Sequence, residues 1–287
     1  MQFLKNILSV LDGKMPTPSM YGWFHIMCLF LMVALCVVFF IFRKRISQKT
    51  VNIILLTTGI VCILFEVYKL LIMNFDSNGL TDFMWYIFPF QFCSTPMYIM
   101  LLSGILRKGK IYDCLISYLA TFAFFAGVAV MLYPSTVFIS LIGINIQTMI
   151  VHGSMVVIAF MLLVTKTAKF EWKTLLKASI VFVIMVTMAM IMNLIFNATG
   201  SPDTFNMFFI NPRFTCEIPL LSAIQPNVPY IFFLLIYILG FTLCATIFLA
   251  ISIGINKLAS LKYIHIDNQT EKSEQISIDE IENKNSN

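Results

Sequence analysis

A chain of 287 residues that is 59% hydrophobic and only 11% charged, with a mean hydropathy of +0.89, is too apolar for a soluble domain. Soluble domains carry about 25% charged residues, so the composition points to an integral membrane protein. The net charge of +5 does not indicate nucleic-acid binding, because the lysines and arginines sit in alternate loops rather than in a basic patch interleaved with aromatics.

Residues 1–20 carry Phe3, Leu4, Ile7, Leu8 and Leu11 at helical spacing, followed by Met15-Pro16-Thr17-Pro18. That pattern predicts an amphipathic segment lying on the membrane surface. The apolar run that begins near Tyr21 is as long as a full span and has no small-residue cleavage pattern after it, so it reads as a retained helix. Seven segments have the length and hydrophobicity of spans: 22–42, 51–73, 85–106, 111–132, 144–165, 174–196 and 228–255. The predicted fold class is therefore all-α, a bundle of seven transmembrane helices over residues 21–256.

Charge alternates between the loops. Arg43, Lys44, Arg45 and Lys49 follow the first segment, Arg107, Lys108 and Lys110 the third, and Lys166, Lys169, Lys173 and Lys177 the fifth. The intervening loops hold Asp76 and Asp82, then no charge, then Asp203, Arg213 and Glu217. Positive charge favours the cytoplasmic side, which predicts an N terminus outside and a C terminus inside. Residues 257–287 are polar, acidic and poor in aromatics, the composition of a disordered cytoplasmic tail.

Within the second segment Glu66 and Lys69 are spaced i, i+3 on one helix face, as an internal ion pair or as a carboxylate able to orient a histidine. In the third, Pro89 and Pro96 remove donors and clash one turn back, at Trp85 and Phe92. The turn holding Cys93, Ser94 and Thr95 should therefore be distorted, which at membrane depth is tolerated only against protein or a cavity. The run 136–165 exceeds one span and is interrupted by Gly143, Asn145 and Gln147, so 136–143 reads as an interfacial or re-entrant piece. It then carries His152-Gly153-Ser154.

Cys93 and His152 each lie fourteen residues outward of a basic helix end, Arg107 and Lys166 respectively. A rise of about 1.5 Å per residue puts both roughly 21 Å from the inner face, in the outer third of a slab about 30 Å thick. A thiol and an imidazole at one depth form the pairing required by nucleophilic cysteine chemistry. Cys93 would attack, His152 would take and return the proton, and Ser94 would line the site. Gln91 and Asn193, also near the outer third, would donate to an oxyanion or bond between helices. The structural readings of the same residues are a packing cysteine at a proline kink and a neutral histidine bonded to a backbone carbonyl. His25 reads as interfacial, and His265 falls in the tail.

The remaining cysteines (28, 36, 62, 114, 216 and 244) show no CxxC spacing, so neither a disulfide framework nor a metal site is expected. No phosphate loop, hydrolase elbow or zinc-protease helix is present, and no cofactor is predicted.

The run Phe88-Pro89-Phe90-Gln91-Phe92-Cys93-Ser94, the spacing of Gln147 to His152-Gly153, the stretch Asn206 to Asn211-Pro212, and Gln225-Pro226-Asn227-Val228-Pro229-Tyr230 resemble the bacterial YwaF-like integral membrane proteins. Those are similar in turn to the eukaryotic transmembrane-protein-164 acyltransferases. The resemblance extends from the second helix through the seventh. It implies a cysteine that takes up an acyl group and a histidine that assists, falling on Cys93 and His152. It also implies membrane lipids as partners, with an acyl donor and a lysophospholipid or ether-lipid acceptor, in a bacterial cell membrane. The chain departs from the pattern at Gln91, where a histidine is common, and at Met207, where a tyrosine is more usual. The expected function is a lipid acyltransferase or ester hydrolase. The alternatives are a permease component with Glu66, Lys69 and His152 along its route, and a seven-helix sensor.

Overall fold

Seven apolar helices fold back and forth in a computed structural model that describes residues 13–76, 79–80, 83–254 and 256–257. They are α1 (Trp23–Phe42), α2 (Gln48–Met73), α3 (Thr95–Leu106), α4 (Lys110–Leu132), α5 (Ile142–Val164), α6 (Trp172–Ala198) and α7 (Tyr230–Gly254). Six of them are long and apolar enough to cross a membrane, and the chain is a multi-pass membrane protein. The seventh, α3, has only 12 residues. Among the described residues the sole strand pairing is Phe75–Asp76 against Gly79–Leu80. Of the surface segment expected over 1–20 and the tail expected over 257–287, residues 1–12 and 258–287 lie outside the described residues. Residues 13–15 run beside the start of α5, with Ile142 N–H donating to Gly13 O at 2.8 Å and Met15 N–H to Ser140 O at 3.1 Å.

The helix expected over 85–106 is a correction. Trp85–Ile87 is a single 3-10 turn, and regular helix starts only at Thr95. Phe88, preceding a proline, is pushed to ψ 135°, which ends that turn. Pro96 then sits in the first turn of α3, where its missing N–H costs nothing, so it starts a helix instead of kinking one. The backbone freed in between is satisfied locally. Ser94 and Thr95 N–H both donate to Gln91 O at 2.9 and 3.1 Å, and Tyr98 OH donates to Pro89 O at 3.0 Å.

The helices pack by close approach of small residues. A Cβ on Gly59 would stand 2.6 Å from Leu101 N, and one on Gly104 would stand 2.6 Å from Leu56 N, so α2 and α3 touch backbone to backbone. At the basic end, Asn52 Nδ2 donates to Arg107 O at 3.3 Å and Lys177 pairs with Asp113 at 3.6 Å, drawing those loops together. α5 is the most enclosed helix and α1 the least. The core holds Leu55, Met100, Tyr118, Phe122, Leu162, Phe182, Phe208, Phe233 and Tyr237, all buried. Phe30, Leu176, Ile195 and Leu239 lie exposed on the outside, which suits a surface bathed in lipid.

Two loop details shape the half of the bundle opposite the basic loops. Asn145, one turn inside α5, closes on Ile139 by accepting its N–H at 2.9 Å and donating to its carbonyl at 2.7 Å. The segment before α5 is thus a tied turn. His25 is fully buried rather than interfacial: Tyr21 N–H donates to Nδ1 at 2.9 Å, so Nε2–H donates to Met131 O at 2.8 Å and staples α1 to the end of α4.

Candidate active site

Cys93 lies in the non-helical turn 91–94, immediately before α3, and is half-buried. Ser94 takes the N-cap position with its side chain making no capping bond. Thr95 Oγ1 donates to Phe92 O at 3.0 Å and meets Tyr118 OH at 3.2 Å, which ties this turn to α4. The amides at a helix start carry partial positive charge, and they oppose the desolvation cost of a thiolate placed there.

His152 is 8% exposed on α5. Its Nδ1 lies 2.8 Å from Thr148 O. A carbonyl only accepts, so Nδ1 carries the hydrogen and a neutral ring presents Nε2 as a lone pair. That Nε2 is buried and has no hydrogen-bond partner among the described residues. No hydrogen bond joins it to Cys93.

His152 and Thr95, the first residue of α3 and two residues after Cys93, are nearly level. Gly59 on α2 abuts Leu101 on α3, and Cys62 on α2 meets Ser154 on α5 at 3.3 Å. Three residues from Gly59 away from the basic loops brings α2 to Cys62 and antiparallel α3 to Tyr98, so Ser154 and Tyr98 share a level. From there His152 is two residues further from the basic loops, about 3 Å, and Thr95 three, about 4.5 Å. Both α3 and α5 pack against α2 on one side and against the Leu119–Ala123 stretch of α4 on the other. That stretch is a π turn inside α4 and fully buried. Such bulges recur at functional sites, where they re-aim neighbouring side chains.

Glu66 and Lys69 form an ion pair at 2.5 Å, and Gln147 Nε2 donates to the other oxygen of Glu66 at 3.1 Å. Glu66 is therefore closed by two partners and makes no bond to His152; the backbone of α5 holds the imidazole instead. Lys69 is near enough to interact electrostatically with both Cys93 and His152, and Glu66 with Cys93. The four groups thus belong to one neighbourhood.

Gln91 and Asn193 are brought to the same loop. Gln91 donates to Asn206 O at 2.9 Å and accepts Phe208 N–H at 2.9 Å. Asn193 donates to Met207 O at 3.0 Å and accepts Met207 N–H at 2.8 Å. They clamp a backbone that holds Phe208 and Phe209 at φ 58° and 56°, where bulky residues are genuine outliers. The loop is further closed by reciprocal bonds between Asn197 and Asn211 at 2.8 and 3.1 Å and by Tyr230 OH donating to Ile210 O.

An apolar cleft of about 600 Å³ between α1, α2 and α5 is lined by Leu31, Ile54, Ile146, Ile150 and Gly153, among others. At about 100° per residue these positions of α5 face away from His152, so the cleft belongs to the lipid side of the helix. Among the described residues no three His, Cys, Asp or Glu side chains cluster as a metal site.

Three features escaped the sequence reading. The helix start at Thr95, just after Cys93, was signalled by Ser94-Thr95-Pro96, a capping residue with a proline close behind. Tyr118 and the π turn had no signal, since Leu119-Ala120-Thr121-Phe122-Ala123 reads as ordinary apolar helix.

The chain belongs to the TMEM164 family, whose family model it matches over residues 20–253. No curated protein and no solved structure matches it.

Proposed function

We propose that this member of the TMEM164 family is a membrane-embedded cysteine acyltransferase or ester hydrolase acting on phospholipid-like substrates. The observation that carries the reading is the lone pair of His152 Nε2, buried without a partner, in a tautomer fixed by Thr148 O, on a helix whose level at His152 is close to the start of α3 that follows Cys93. An unpartnered acceptor costs about 1–3 kcal/mol of stability when buried, and a proton arriving from a thiol repays it during reaction.

The chemistry runs in two halves. Cys93 gives its proton to His152 as its sulfur attacks the carbonyl carbon of an acyl donor lipid. The ester C–O bond breaks, and the proton passes from His152 to the departing oxygen, leaving a thioester on Cys93. The hydroxyl of a lysophospholipid then gives its proton to His152 and attacks the thioester, and the sulfur leaves as thiolate and takes the proton back. Water in place of that hydroxyl gives hydrolysis. The charge of the loops supports an N terminus outside, a C terminus inside and a site in the outer leaflet. In that arrangement α3 and the segment 83–94 together make the seventh crossing. A bacterial membrane as the setting is supported by the likeness of the 88–94 and 225–230 runs to the YwaF-like proteins. The permease reading needs Glu66 open to a route, whereas Lys69 and Gln147 close it.

The test is the purified protein in nanodiscs with a defined phospholipid and a lysophospholipid, read by lipid mass spectrometry and intact protein mass. Wild type should transfer acyl chains and trap a Cys93 thioester, while Cys93→Ala should do neither. Equal transfer by both proteins ends the proposal.

A further inference from the structure

Tyr237, about two turns into α7, is buried in a stack of rings, 4.6 Å from Phe241 and 6.3 Å from Phe182 between centroids. Its hydroxyl has no hydrogen-bond partner among the described residues. Buried phenols ordinarily find an acceptor, and phenylalanine would fill the same ring position without the penalty. Packing therefore gives no reason for the oxygen to be there.

Its location supplies one. Phe182 and Phe241 also hold Phe92, at 5.7 and 4.8 Å, so Tyr237 shares both ring neighbours with the residue that precedes Cys93. The phenol is close enough to Cys216, Tyr118 and Cys93 to interact with each electrostatically. The two tyrosines differ in what their protons do. Thr95 Oγ1 spends its own proton on Phe92 O, so the contact with Tyr118 is a bond donated by Tyr118. Tyr237 donates to nothing. Gln91 and Asn193 already hold loop backbone. This interior therefore contains a buried acceptor without a donor, His152 Nε2, and a buried donor without an acceptor, Tyr237 OH.

Resting on the acyl-transfer reading above, we infer that Tyr237 is a catalytic residue whose hydroxyl donates to the carbonyl oxygen of the substrate ester as Cys93 attacks. Negative charge then develops on that oxygen against a fixed neutral donor in a water-poor interior, where such a bond is worth most. The phenol keeps its proton throughout. The sulfur–carbon bond forms, the ester C–O bond breaks, and the thiol proton travels through His152 to the leaving alcohol. A neutral donor suits an ester carbonyl, which carries no charge before attack.

Two reactions of Cys93 separate this from a general effect on the sulfur. Acylation by a p-nitrophenyl fatty ester forms an oxyanion at the ester carbonyl; alkylation by iodoacetamide displaces iodide at a saturated carbon and puts no charge on a carbonyl oxygen. In detergent-solubilised full-length protein, Tyr237→Phe should form the Cys93 thioester about 100-fold or more slowly. It should be alkylated by iodoacetamide at Cys93 at the wild-type rate and melt no lower than wild type. Wild-type acylation by Tyr237→Phe, where Cys93→Ala forms no thioester, overturns the role of Tyr237 and leaves the cysteine enzyme standing. Equal slowing of both reactions, or a lowered melting temperature, overturns it as well, because the hydroxyl then serves access or structure. Ester turnover undiminished in Cys93→Ala removes the acyl-transfer reading, and this inference with it.

Discussion

The loop between α6 and α7 and the interior around Cys93 lie side by side, yet they treat their polar groups in opposite ways. In the loop, Asn206 donates to Thr215 O and accepts Asn211 N–H, and Gln225 donates to Phe214 O while accepting Cys216 N–H. Each amide serves the backbone at both its ends. Around Cys93, by contrast, a histidine nitrogen and a tyrosine hydroxyl are buried with nothing to bond. A chain that satisfies polar groups so fully in the loop has the means to do so next door. On the acyl-transfer proposal the open valences of His152 and Tyr237 are where a substrate completes the structure, whereas the open Ser103 Oγ on α3 has no such role, and the closed groups are where the protein holds itself together.

That contrast can be broken by substitution. The largest expected effect is on activity. His152→Phe removes an unpartnered nitrogen and should leave the melting temperature within a few degrees of wild type while acyl transfer falls by about 10²–10⁴-fold. A loss of fold with full residual turnover per folded molecule would reverse the assignment. On the closed side the signs exchange. Asn193→Ala strands the Met207 N–H and leaves Met207 O only its bond from Ile210 N–H, and should cost about 1–3 kcal/mol in denaturant unfolding. Stability equal to wild type would show that the clamp is ornamental. The smallest effect sharpens the comparison at the loop's rim. Leu220 is 82% exposed at φ 69° and ψ −49°, a conformation unfavourable for any residue with a Cβ. Leu220→Gly should raise stability by about 1 kcal/mol, read as a higher melting temperature, with transfer activity unchanged.

Much of the architecture was legible because it follows from composition. A helix that must satisfy its backbone in lipid has to be long and apolar, and six of the seven predicted spans were present as such. The exception, 85–106, failed for a reason written in the sequence. Pro96 with Ser94 and Thr95 before it is a helix start, and reading it as a kink carried helix back through Cys93. The Glu66–Lys69 pair was legible from i, i+3 spacing alone. The partners of Gln91 were not, since its amide closes on a loop 115 residues away that no local pattern announces. His25 was misjudged for the same reason. Its position near a helix end suggested an interface, and only the end of α4, at Met131, makes it a buried staple.

By itself the sequence determined the membrane class, the course of the helices, the charge asymmetry of their loops, and the candidacy of Cys93 and His152. All of these rest on periodicity, proline and charge, which act over a few residues. Only the tertiary structure decided which polar groups remain open. A hydrogen bond is made or left unmade by atoms from distant segments, so the lone pair of His152 and the proton of Tyr237 became visible only when α4, α5 and α7 had packed and offered them nothing.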